Sequence, residues 1–237
     1  IAGMPAYKSI APLYPGLSIP AVAQDKVYHY PTVLNSMYAS LYRHFFAQVI
    51  ATDKAGIDSL EAALNMVYST ADDAEVIERS KAHGIAVATA IWNYSATDIA
   101  GHDMYLDPRS SSYSPPVGLG LWTPTPPGNQ AAMFPYWGAV RTFAISGNEK
   151  LCAPPIPYST SPISPYYAQA LEVYAHTSPQ TAEEQWIAEF WSDDVLGFTF
   201  SPPSRWIAIG NEVLKIEHSN LETAVMVAVK VDRKSVV

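Results

Sequence analysis

Residues 71–95 read ADDAEVIERSKAHGIAVATAIWNYS, and this stretch decides the fold. Thr70 followed by Asp73 is a capping-box-like start, and Asp72, Asp73 and Glu75 suit the positive end of a helix dipole. Ser80, Gly84 and Ala88 then recur every four residues, so one face carries only small side chains. A second helix backbone can approach closely along such a stripe. Ile77, Ile85, Ile91 and Trp92 supply apolar mass. The spacing predicts one long helix over Ala71–Ser95, built to be packed by other helices.

Working outward, the same periodicity returns on both sides. Asn35–Ile50 sets Met37, Leu41, Phe45 and Val49 on one stripe, and Gly56–Tyr68 is a further amphipathic segment. Before them, Pro5, Pro12, Pro15, Pro20 and Pro31 break every candidate helix, so residues 1–31 read as an extended arm. Downstream, residues 96–163 form an irregular insertion. Its centre, Leu121–Ile145 (LWTPTPPGNQAAMFPYWGAVRTFAI), mixes prolines with Trp122, Phe134, Tyr136, Trp137 and Phe143. Proline excludes a regular element there. The aromatics exclude a solvated linker, so an ordered meander over helices is expected.

Helices resume at Tyr167–Ala175. Ser178-Pro179 reads as an N-cap with proline at the first helical position. The following Gln180–Asp194 helix carries an expected buried stripe of Trp186, Ile187, Phe190 and Trp191. After a break at Gly197–Pro203, Ser204–Glu217 and Leu221–Val231 complete the series. No strand alternation and no fixed repeat are present. The expected fold is all-α, a multi-helix bundle with a long Pro/aromatic-rich meander. An arm at 1–31 precedes a single helical domain at 32–237 that contains the 96–163 insertion.

Composition narrows the function. In 237 residues, hydrophobic side chains make up 49% and charged ones 15%, enough for a core without disulfides. Lys+Arg 14 against Asp+Glu 22 gives a net charge of -8, which argues against nucleic acid and anionic membrane surfaces. The apolar runs at Gly84–Tyr94 and Ala224–Val231 are too short to span a bilayer. Cys152, the single cysteine, allows no internal disulfide. No charged start leads into an apolar segment, so no signal peptide is expected. The start at Ile1 is expected of a processed or trimmed product.

Four groups of side chains could carry chemistry. Asp98, His102, Asp103 and Asp107 place oxygens and an imidazole in one loop, which could wrap a hard cation or simply form turns. Asp193 and Asp194 end a helix as paired carboxylates, suited to acid–base work or to solvation. Arg79 and His83 lie one helical turn apart, as an anion pair or as surface groups. Arg205, beside Trp206 and after Pro202-Pro203, could bind an oxyanion, stack on the indole or form an ion pair. Ser146-Gly147-Asn148 reads as a turn.

Several blocks together resemble the vanadium-dependent haloperoxidase branch of the type-2 phosphatidic acid phosphatase superfamily, in its bacterial secreted form. They are Ser80–Ala88 with Trp92–Asp98; Tyr105–Pro108; Leu121–Pro127; Pro135–Gly138 with Arg141–Phe143; Ala188–Asp194; and Pro202–Trp206. The resemblance implies packed helical bundles, a secreted or periplasmic location and vanadate as cofactor. Vanadate-loaded members oxidise halide with peroxide, and relatives hydrolyse phosphate esters. The family's anion signature pairs a lysine with Arg-Pro, Ser-Gly-His and a later arginine and histidine. No arginine here precedes a proline, and no Ser-Gly-His occurs. The likeness is to the N-terminal, scaffolding half, so a missing C-terminal half or a homo-oligomer is expected to cover its apolar faces. The foremost such face is the last helix, with Val225, Val227, Ala228, Val229 and Val231. Arg205 is the one residue assigned to oxyanion binding. The alternative is a non-enzymatic helical binding module that uses the aromatic meander as its surface. A third possibility is an intact enzyme working through Asp98, His102 and Asp103 or through Asp193 and Asp194.

Overall fold

The computed structural model describes residues 11–143, 153–177, 179–192 and 202–235. Among these described residues seven α-helices follow in order: α1 (Tyr30–Phe45), α2 (Ala51–Tyr68), α3 (Ala74–Ser95), α4 (Pro165–Thr177), α5 (Ala182–Trp191), α6 (Pro202–Ile216) and α7 (Leu221–Ser235). Among the described residues there is no strand, and the fold is all-α as its periodicity indicates. No helix among them is long and apolar enough to cross a membrane. The chain separates into two compact units, residues 1–104 with 139–141, and residues 105–138 with 142–237.

In the first unit α1 packs on α3 and on α2. The α1–α3 crossing is built on the small-residue stripe. Ser80, Gly84 and Ala88 are all buried, facing Thr32, Val33, Ser36 and Ala39 of α1, which are buried too. Leu41, Val76, Ile77 and Tyr94 complete the core. Ser80 is a fully buried hydroxyl that is also fully satisfied. It donates to the Val76 carbonyl at 2.7 Å and accepts the His29 backbone N–H at 2.9 Å. That second bond pairs a donor at the start of α1 that has no partner within its own helix. Met37, Phe45 and Val49 are only half-buried.

α1 starts five residues before the expected Asn35, at Tyr30, with Pro31 inside its first turn. Proline's missing N–H costs nothing there, because the first helical N–H groups have no intrahelical acceptor. The start of α3 also differs. Asp73 is its N-cap but makes no side-chain cap bond, so the box with Thr70 does not form. α2 buries no residue. It is held to α1 by Asn35, whose amide donates to the Glu61 carbonyl and to Asn65 Oδ1, both at 3.1 Å. Arg43 also bonds Asp58 at 2.8 Å and Glu61 across the same pair.

In the second unit α6 and α7 pack as a helical hairpin. Gly210 lies in van der Waals range of Val227 and Val231, so these valines of α7 are used against α6. Trp206, Ile207, Ile209, Val213 and Ile216 of α6 are the exposed large apolar residues of the pair among the described ones. α5 is capped by Thr181, not by Ser178-Pro179, and Ser178 lies outside the described residues. Thr181 Oγ1 accepts the Glu184 N–H at 3.2 Å while Glu184 accepts the Thr181 N–H at 2.8 Å, a full capping box. The expected buried stripe of α5 is not buried. Trp186 is 62% exposed, Trp191 68%, and Ile187 and Phe190 are exposed with them.

Candidate functional site

The most densely bonded polar cluster of the first unit lies where α3 ends. The last carbonyls of a helix have no intrahelical donors and attract cations. Arg141, far downstream in sequence, supplies them. Its Nη2 donates to the Tyr94 carbonyl and its Nη1 to Thr97 Oγ1, both at 2.7 Å. Its guanidinium carbon sits 3.7 Å above the Tyr94 ring. Its backbone N–H donates to Asp98 Oδ2 at 3.0 Å. Arg141 Nε is buried without a hydrogen-bond partner. Asp98 therefore acts as an acceptor that fixes the returning chain.

His102 comes to the same end of α3 but in a different role. Its Nδ1 is 2.9 Å from Ser95 Oγ, and Ser95 Oγ donates to the Trp92 carbonyl at 2.8 Å. A hydroxyl has one proton, and here it goes to Trp92, so His102 Nδ1–H is the donor to Ser95. Ser95 thus fixes the imidazole and is not activated by it. His102 Nε2 is 3.8 Å from Asp103 Oδ1, beyond a hydrogen bond. The indole of Trp92 lies between two imidazoles, with His44 stacked at 4.6 Å and 19° and His102 tilted at 4.4 Å and 59°. Phe45 meets it edge-on at 5.2 Å. Asp107 belongs to the second unit. Among the described residues no three His, Cys, Asp or Glu side chains come together in a way that could hold a metal ion.

Arg79 and His83 are both drawn to Tyr28. Arg79 donates through Nε and Nη2 to the Val27 carbonyl at 3.2 and 3.0 Å, pairs with Glu75 at 2.9 Å and lies over the Tyr28 ring. His83 contacts the same ring at 5.2 Å, and burial holds its pKa below the ordinary value. A neutral imidazole and an occupied guanidinium do not make an anion pair. Arg205 donates through Nη1 to the Phe190 carbonyl at 3.2 Å, tying the start of α6 to the end of α5. Asp193, Asp194, Ser146-Gly147-Asn148 and Cys152 lie outside the described residues.

The meander presents its aromatics outward. Trp122, Tyr136 and Trp137 are exposed. Tyr136 is held by its hydroxyl, 3.0 Å from Ser112 Oγ, and by the Tyr113 ring, edge-on at 5.9 Å. Phe134 lies 6.4 Å from Trp137, and its backbone N–H bonds the Pro108 carbonyl at 2.7 Å. Arg109 ties the same stretch to the Ala131 carbonyl.

One feature of the second unit carries no sequence motif. A groove of about 680 Å³ lies between α4 and α5, lined by residues of both helices and by Gln180 between them. His176 Nδ1 and Glu184 Oε1 meet across it at 2.9 Å. Hydrogen bonding to His176 is the largest cause that draws the Glu184 carboxyl down to about 2, with the Thr181 backbone and hydroxyl adding to it. The reciprocal bond raises His176. The eight-residue separation across a helix break gave no spacing signal. No protein-family model matches the chain, and no curated protein or solved structure matches it significantly.

Proposed function

We propose that this chain is a helical part of a vanadium haloperoxidase-like or acid phosphatase-like protein, and that its helices supply scaffold rather than reacting groups. The observation that supports this reading is the set of contacts made by Arg141. Arg141 belongs to the block 135–143, and its partners Tyr94, Thr97 and Asp98 belong to the block 92–98. Two separate stretches that carry the resemblance thus meet in one structural tie. Vanadate is an anion held by converging cationic donors. Arg43, Arg79, Arg109, Arg141 and Arg205 each donate to a carboxylate, hydroxyl or carbonyl of their own unit. The described residues therefore do not fit that group, and no step is routed through it.

The test is peroxide-dependent halide oxidation and phosphomonoester hydrolysis, each with vanadate added and omitted. The expected result is no turnover above buffer in any arm. Turnover that needs vanadate and disappears in Arg205→Ala would overturn the scaffold reading and restore Arg205 as the oxyanion residue.

A second reading, a binding module without catalysis, is favoured by the exposed Trp122, Tyr136 and Trp137 on a stretch braced by Pro108, Ser112 and Arg109. Exposed aromatic patches mark interaction sites more often than they mark ordinary surface. Titration with soluble oligosaccharides, read by tryptophan emission, separates the two. A saturable change that is lost in the Trp122→Ala/Trp137→Ala double variant supports the platform.

A further inference from the structure

We propose that the groove between α4 and α5 is a binding site for a small organic cation, of the diamine or guanidinium class. Its volume of about 680 Å³ falls within the range of small-molecule sites. Val173, Ile187 and Ala188 give the open groove an apolar part against which an alkyl chain can lie. Both helices contribute a carboxylate to the lining, Glu172 from α4 and Glu184 from α5, and Gln169 and Gln180 add amides. Among the described residues that line the groove the one basic group is His176, a turn after Glu172.

The His176–Glu184 pair shows what fits. A protonated nitrogen already reaches across the groove and hydrogen-bonds the α5 carboxylate at 2.9 Å. An ammonium or guanidinium on a short alkyl arm can make the same bond, lie on Val173 and Ile187, and reach Glu172 with a second cationic end. A small anion would meet two carboxylates against one imidazole. The charge of the lining therefore selects cations, and its apolar part selects organic ones over hydrated metal ions. The inference stands independently of the haloperoxidase-like reading, because it uses none of the residues that carry that resemblance.

The charged groups facing the site are Glu172 and His176 from α4 and Glu184 from α5, and they set its pH behaviour. While His176 is protonated it occupies Glu184 and competes with the ligand. Once His176 loses its charge its remaining N–H can still bond Glu184, but the lining then carries the uncompensated charge of two carboxylates. Affinity for a cation should rise with pH.

The experiment is calorimetric titration of the full chain with 1,4-diaminobutane at pH 8.5 and pH 5.5, with succinate as the oppositely charged control. The expected result is saturable diamine binding, stronger at pH 8.5, and none of succinate. Glu172→Gln, an exposed change outside the Thr181–Glu184 capping box, should weaken diamine binding roughly threefold to tenfold while far-UV circular dichroism is unchanged. His176→Asn should keep the binding and lose most of its pH dependence. Absence of diamine binding, equal binding to Glu172→Gln, or binding of succinate as tight as diamine would each overturn the proposal.

Discussion

Gly84 of α3 faces the backbone carbonyl of Val33 on α1 at a distance that leaves no space for a Cβ. The same missing methyl would also meet Met37 N at 3.1 Å and Ser36 Cβ at 3.2 Å. The obstacle is helix backbone, which cannot move aside as a flexible side chain can. Gly84→Ala should force α1 and α3 apart and cost about 1–3 kcal/mol. Gly56 of α2 has nothing within 4 Å of the same virtual atom. Gly56→Ala should therefore stabilise, by about 0.5–1 kcal/mol from helix propensity alone. Thermal melts of the two variants should move in opposite directions.

The buried hydroxyl of Ser80 gives a second contrast. Ser80→Ala removes the acceptor of the His29 N–H, and a buried donor without a partner costs about 1–3 kcal/mol. Thr89 makes a similar bond to the Ile85 carbonyl at 2.9 Å but on the exposed side of α3. Thr89→Ala should fall within about 0.5 kcal/mol of the parent. Equal losses in denaturant unfolding would contradict the assignment of Ser80 to the helix crossing.

Arg141 should not be replaceable by lysine. Its planar fork serves the Tyr94 carbonyl and Thr97 Oγ1 together while lying over the Tyr94 ring, and an ammonium, though it has three donors, has no plane to stack while they are used. Arg141→Lys should lose about 1–2 kcal/mol, close to the loss in Arg141→Ala. Amide exchange in the last turn of α3 is the local readout, and faster exchange in both variants is expected.

The His176–Glu184 bond has a pH window. Glu184 has its pKa lowered in the fold to about 2, so its contribution is present above the ordinary carboxylate range and fades as pH falls toward 2. His176 is raised, so its contribution is full below the ordinary imidazole value and fades as pH rises through the raised one. The pair is therefore strongest at mildly acidic pH. A proton-resonance titration of His176 should report a higher midpoint than in Glu184→Gln. Equal midpoints would mean that the pair does not form in solution. Separately, Thr181→Ala should cost about 1 kcal/mol of helix stability by removing the box at the start of α5.

The helices were legible in the sequence where their packing is local. The Ser80–Gly84–Ala88 stripe announced the α1–α3 crossing because a close approach demands small residues at that spacing. The facing side of α1 was read less well. Of the bulky stripe Met37, Leu41, Phe45 and Val49 only Leu41 is buried, and the face of α1 toward α3 also buries Thr32, Val33, Ser36 and Ala39, most of them small. Pro31 reads as a breaker in sequence, yet proline forbids only a helix interior and is at home in the first turn of α1. Trp186 and Trp191 were read as buried from hydrophobicity alone, and periodicity cannot say whether an apolar face has a neighbour. The tie from Arg141 to Tyr94 spans 47 positions and leaves no periodic trace. His102 stands in sequence among Asp98, Asp103 and Asp107, but its contacts are with Ser95 and Trp92, which spacing along the loop does not point to.

Because residues 139–141 belong to the first unit, that unit is not a continuous piece of chain. During synthesis its three helices emerge well before the arginine that closes the end of α3. The helices can collapse early, but the closure waits for the meander as far as Arg141 to leave the ribosome. A nick between residues 105 and 138 would turn an intramolecular closure into an encounter between two fragments, with the entropic penalty of bringing them together. The meander is in this sense a tether whose length sets how readily the first unit is finished.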